Sequence, residues 1–128
     1  MELDKMGRDA LWYAIAGCED RALKMLKRAE NINFQDSNGY SYLHIAVQEE
    51  FPKAVDRLIK LGCVVDLRDK FGRTPLWIAV SFYNGDDAVI QKLIEAGADV
   101  NAENNHGVSC MALAQRKGYD GLCKQTPC

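Results

Sequence analysis

Histidine is scarce in this chain, with only His44 and His106 among 128 residues. Neither shares a known catalytic motif with a Ser/Asp or Cys partner, and no glycine-rich phosphate loop occurs. No apolar run approaches the roughly 20 residues that a membrane span requires. Positive charge does not dominate: 16 Lys and Arg stand against 18 Asp and Glu, a formal net charge of −2. A nucleic-acid partner favours a strongly basic face, so this balance argues against one. The five cysteines (Cys18, Cys63, Cys110, Cys123, Cys128) are odd in number, and no Cys-x-x-Cys or Cys/His ligand spacing appears. They read as reduced thiols of a cytoplasmic protein, with a Cys123/Cys128 disulfide or a reactive C-terminal thiol as the alternative. The opening Met1-Glu2-Leu3-Asp4-Lys5-Met6 shows no secretory pattern. Together these absences lead us to expect no catalytic residue, no metal, no cofactor, no membrane and no nucleic acid.

What is present is a repeat. The length suits one domain, residues 1–128, and 48% of the residues are apolar, enough for a core. Gly7, Gly39, Gly72 and Gly107 recur at intervals of 32, 33 and 35 residues. Asp4, Asp36, Asp69 and Asn104 stand three residues before each glycine. The pairs Leu11/Ala14, Leu43/Ala46, Leu76/Ala79 and Met111/Ala114 follow it.

Each copy reads as turn, helix, turn, helix. Glycine supplies the positive φ of a tight turn. Asp9, Ser41, Thr74 and Ser109 are N-cap residues two positions later, and Pro75 fits the first helical position. The Leu/Ala pairs at i, i+3 share one helical face. A second helix is expected from about Pro52 to Leu61 and from about Asp87 to Ala96, with Gly62 and Gly97 as left-handed caps. Asp86-Asp87 reads as that helix's start, where acids favour the dipole. Asn33, Asp66 and Asn101 fall in the linking loops, where short polar side chains bond their own backbone. No segment alternates with period two, so no conventional strand is expected. Four copies of two helices, the last cut short, give about seven or eight helices.

The stretch Gly72-Arg73-Thr74-Pro75-Leu76-x-x-Ala79, with Leu93-Ile94-Glu95-Ala96-Gly97-Ala98-Asp99-Val100-Asn101-Ala102, resembles the ankyrin-repeat signature. Asp36 to Arg68 matches over a full 33 residues. The resemblance implies an all-α ankyrin-repeat solenoid of about four repeats, at 4–35, 36–68, 69–103 and 104–128, with degenerate terminal copies. It also implies a non-catalytic module that binds a partner protein on a concave face of loop tips and first-helix residues. Those positions here are Asn38, Tyr40, Gln48, Glu49, Arg68, Lys70, Phe71, Arg73, Phe82, His106 and Val108. His44 matches the ankyrin histidine that ties adjacent loops. Trp12 and Trp77 replace it in neighbouring copies, so a weaker inter-loop network is expected.

Between Ala79 and the next helix the third copy is two residues longer, and it carries Phe82 and Tyr83 there. Tyr83 reads as packing for the longer turn, and Phe82 as either packing or a partner anchor. The fourth copy ends with only Leu122 and Cys123 as apolar contacts after Gly118, as a free-standing monomer would. Small bacterial ankyrin proteins look similar, which raises an immunity protein that neutralises a cognate toxin as the narrower alternative. An enzyme or enzyme subunit is the remote one.

Overall fold

The computed structural model describes residues 12, 15, 17–27 and 31–122. Six helices lie wholly among them: α1 (Glu19–Leu26), α2 (Tyr42–Gln48), α3 (Pro52–Lys60), α4 (Pro75–Ser81), α5 (Ala88–Glu95) and α6 (Cys110–Arg116). Trp12, Ile15 and Gly17 are also helical. Asp4, Gly7, Asp9, the Leu11/Ala14 pair, Cys123 and Cys128 lie outside the described residues. Six of the expected seven or eight helices are thus complete among the described residues. Residues 119–122 after α6 form no second helix in the fourth copy.

Local chemistry explains where the helices start and stop. Ser41, Thr74 and Ser109 are extended N-cap residues, and each side-chain oxygen accepts an N–H three residues on, from His44, Trp77 and Ala112. Pro52 and Pro75 occupy the first helical turn, where an amide hydrogen has no partner to lose. Gly62 (φ +84) and Gly97 (φ +93) follow α3 and α5 in the left-handed region that ends a helix. Among the described residues, extended pairing is limited to two isolated bridges, Gln35 with Ser41 and Glu103 with Ser109.

The helices form two layers. First helices α2, α4 and α6 pack in succession, and second helices α1, α3 and α5 pack beside them. Within a copy α2 lies on α3 and α4 on α5; the three residues joining α2 to α3 make that pair antiparallel. Leu43, Leu76, Leu58, Leu93, Ala46, Val80, Cys110 and Ala114 fill the space between the layers. Leu43 and Leu76, the repeat's apolar positions, are fully buried.

Hairpins project from the first-helix layer, and one side chain shapes each. Asp36 Oδ1 accepts the N–H groups of Asn38 and Tyr40, both at 2.9 Å. Asp69 Oδ1 does the same for Phe71 (2.9 Å) and Arg73 (2.8 Å), and Asn104 Oδ1 for His106 (2.9 Å) and Val108 (3.0 Å). The repeated acid or amide thus satisfies two turn donors, and the glycine three residues on adopts φ near +76.

Adjacent hairpins then touch through their backbones. Lys70 N–H donates to Asn38 O (2.9 Å), and Asn105 N–H to Phe71 O (2.8 Å). A Cβ on Gly39 would sit 2.8 Å from Asp69 Cα, inside backbone rather than a flexible side chain. One on Gly62 would meet nothing within 4 Å. Gly39→Ala should therefore cost about 1–3 kcal/mol and more than Gly62→Ala, which carries only the φ strain. Leu76→Ala should cost about 2–5 kcal/mol, as truncation in a packed core does. Urea denaturation measures all three. Equal losses for the two glycine variants would refute the stacked-hairpin geometry.

Candidate partner-binding site

The expected interface residues separate into distinct places. Asn38, Tyr40, Gln48, Lys70, Phe71 and Arg73 line one open cleft of about 260 Å³ on the hairpin side, together with Trp12, Asp36 and Asp69. Within it Arg73 is the organising residue. Its Nε donates to Asp69 Oδ2 at 2.7 Å, and its Nη2 forms an ion pair with the same oxygen at 2.7 Å. Its guanidinium carbon lies 5.9 Å from the centroid of Tyr40 and 5.0 Å from that of Phe71. Lys70 Nζ stands 5.1 Å from the same Phe71 ring. Cations over aromatic faces are attracted by the ring quadrupole, so each contact helps hold the others.

Tyr40 is braced from below. Its ring stacks on His44 at 5.0 Å, and its hydroxyl donates to Gln48 Oε1 at 2.7 Å. His44 is itself fully buried. Its Nδ1 accepts the Ser41 N–H (3.1 Å), which leaves the proton on Nε2 to donate to Arg73 O (2.8 Å). The histidine that caps α2 therefore also holds the backbone of the arginine in the next copy. Burial, the largest effect, lowers the His44 pKa below its usual 6.5.

Trp77 corrects one expectation. Its Nε1 donates to Val108 O at 3.0 Å, the position in the next hairpin equivalent to Arg73 O. Replacing histidine by tryptophan therefore keeps the link to the next copy. The link-loop residues also reach further than expected: Asn33 Oδ1 accepts Val64 N–H (2.7 Å), and Asp66 Oδ1 accepts Asp99 N–H (3.2 Å). Both join one copy to the next, rather than closing their own turn.

This stacking of helix–hairpin units, bonded at fixed positions from copy to copy, agrees with a sequence comparison. The family model for ankyrin repeats matches residues 10–104 and 43–125. The chain belongs to the ankyrin-repeat family. Among its relatives, poly(ADP-ribose) polymerase tankyrase of Caenorhabditis elegans is 34% identical over 115 residues, 77% of this chain but 5% of that protein. Human ankyrin repeat and SOCS box protein 6 is 34% identical over 97 residues, 73% of this chain and 23% of its own length. The mouse B-cell lymphoma 3 protein homolog is 32% identical over 127 residues, 92% of this chain and 27% of its own. The chain thus spans about a quarter or less of these relatives, and the tankyrase overlap is confined to the repeats. Ankyrin repeats are in general protein–protein interaction modules and typically non-catalytic.

The remaining expected ankyrin contacts lie elsewhere. Arg68 lines the loop side with Asp66, Asp99 and Glu103. Its Nη2 donates to Glu103 O and its Nε to Gly72 O (3.2 Å), so it ties two hairpin bases together. Gln35 does the same one copy earlier, donating to Arg68 O (3.0 Å) and Gly39 O (2.8 Å). His106 is exposed at the fourth hairpin tip. Phe82 is half exposed and lines a separate groove with Val47, Pro52, Val89 and Glu50. Glu50 ends α2 with φ +58, where the matching position after α6 is Gly118. Glu49 follows α2 and does not line the Tyr40 cleft.

Tyr83 packs inward, as expected: its ring contacts Tyr119 at 4.6 Å. Tyr119 itself was not anticipated. It is buried, donates to Asp87 Oδ2 (2.9 Å) and accepts from Gln91 Nε2 (2.7 Å), fastening the fourth copy to α5. Glu19 was also missed: its Oε2 accepts from Lys53 N–H (3.0 Å) and Ala54 N–H (3.4 Å), capping α3 from the neighbouring copy. The 34- and 35-residue spacings are its only trace in the sequence.

The geometry separates folding from binding within the cleft. Asp69 has no exposed side-chain surface, so Arg73→Ala leaves a buried carboxylate without its guanidinium. That variant should lose about 1–3 kcal/mol, contrary to what exposure alone suggests. Phe71→Ala, at a side chain half exposed, should stay within about 0.5 kcal/mol of the parent. For His44 the lowered folded pKa means the unfolded chain takes its proton first. Its contribution is complete above pH 6.5 and is lost as pH falls below it, through the folded value. Denaturant midpoints across pH for parent and His44→Gln should diverge above pH 6.5 and converge below it. A constant difference would contradict the buried neutral ring.

Proposed function

We propose that the chain is a non-catalytic module that binds a partner protein on its concave hairpin face, centred on Tyr40, Phe71 and Arg73. The observation that carries this reading is the arginine set between two aromatic rings and anchored from beneath by Asp69. Aromatic and Arg side chains are the preferred anchors of protein interfaces, and a braced side chain has less freedom to lose on binding. Asn38, Gln48 and Lys70 form the rim, and His106 and Glu49 extend it. Phe82 and Val108 belong to its periphery, and Arg68 serves mainly to hold the hairpins together. Residues 1–128 act in this reading as a single ankyrin-repeat domain of about four repeats, a monomer with a face of about 800 Å² at most.

A cytoplasmic location is part of the reading. Cys63 and Cys110 are free, and burial pushes their thiols up to about 11 and about 12, which leaves them protonated and inert. A cognate toxin is the narrower alternative for the partner, and a toxin gene beside this one would favour it. No described helix is long and apolar enough to cross a membrane.

Capture from the source cells tests the site. A protein retained by the parent and by Lys60→Ala, on the outer face of α3, should be lost with Phe71→Ala. The affinity of that partner should fall about tenfold or more. Retention by Phe71→Ala together with loss in Lys60→Ala would place the interface on the opposite side.

A further inference from the structure

The cleft's acids and its cations do not face the same way. Asp36 and Asp69 line its floor and are nearly buried. Their Oδ1 atoms each accept two backbone N–H groups, and Asp69 Oδ2 is held by Arg73. The cations lie outward. Lys70 is exposed, and no carboxylate of the described residues lies within ion-pair distance of its Nζ. Arg73 uses its side edge, Nε and Nη2, on Asp69. Its end edge, one N–H from each Nη, remains: two parallel donors at the spacing of a carboxylate's two oxygens. On the rim the exposed Gln48 accepts from Tyr40 through its carbonyl oxygen, which leaves its amide N–H groups as further donors. The cleft therefore offers donors and positive charge around the half-exposed face of Phe71.

We infer that the partner segment received here is acidic: an Asp or Glu side chain docks on the Arg73 end edge, with an adjacent apolar side chain on Phe71 and the Lys70 ammonium beside it. This deepens the concave-face reading and rests on it. Three features favour that occupant over a basic or neutral one. Both floor carboxylates are nearly buried and each already accepts two backbone N–H groups, so a partner cation would meet Lys70 and Arg73 first. The guanidinium is preorganised by two rings and an ion pair, so a carboxylate gains a bidentate contact without ordering a flexible side chain. The apolar contact beside the charge lowers the local dielectric and strengthens the pair.

The probe is a displayed library of random short peptides with amidated or fused C-termini, selected against the full chain. The amide excludes a terminal carboxylate as the bound group. Selected peptides should be enriched in Asp or Glu next to an apolar residue. Their affinity should drop about tenfold with Lys70→Glu and with Arg73→Lys, and weaken as salt is raised. Arg73→Lys keeps a cation for Asp69 but loses the parallel N–H edge, so it separates recognition from folding; thermal melting verifies that each variant is folded. Peptides that need Phe71 but carry no acidic enrichment, or that bind as well to Lys70→Glu, overturn the acidic partner and leave the concave-face reading standing. Peptides indifferent to Phe71→Ala overturn both. A library that yields no binder also counts against the acidic partner.

Discussion

Each copy of this repeat leaves polar backbone groups that only the next copy can satisfy, and the structure follows from that dependence. His44 donates to Arg73 O and Trp77 to Val108 O, while Lys70 and Asn105 N–H groups close onto the carbonyls of the preceding hairpin tips. A buried carbonyl or amide without a partner is costly, so a hairpin displaced from its neighbour loses several bonds together. The apolar layers supply most of the burial, but their contacts are non-directional. The directional bonds between hairpins set the register in which the layers stack.

The candidate interface is a by-product of the same register. Arg73 is placed by the bond from His44 to its carbonyl and by Asp69, the residue that shapes its own hairpin. Tyr40 comes from the previous copy and reaches Arg73 because Lys70 is bonded to Asn38. The aromatic–arginine cluster therefore spans two copies and exists only when they are docked. A change that loosens the hairpins should affect recognition even where no partner touches it, and this couples stability to function in a one-dimensional array.

The first and fourth copies are fastened to their neighbours by different means. Glu19 caps α3 from the first copy, replacing a side-chain cap that Phe51 cannot provide. Tyr119 of the fourth copy inserts against Tyr83 and bonds Asp87 and Gln91. In the longer turn of the third copy Tyr83 contacts Tyr119, while Phe82 is left half exposed.

Periodic features were legible in the sequence because they rest on local chemistry. A glycine at positive φ, an Asp or Asn three residues before it, a Ser or Thr cap and a Leu-x-x-Ala face are each decided within one turn of chain. Helix starts and the all-α stacking followed from them, and Tyr40, Phe71 and Arg73 could be assigned to hairpin tips by position alone. Their joint arrangement could not, because it depends on which side chains meet across a separation of about one repeat. Nothing local in Trp77 announces that it will bond Val108 O as His44 bonds Arg73 O, since both rings merely present an N–H at the right reach. Arg68 and Arg73 look alike as exposed tip arginines, yet one staples hairpin bases and the other lies between two rings. Only docked copies distinguish them, because the carbonyls, carboxylate and aromatic faces that choose their roles come from neighbouring repeats.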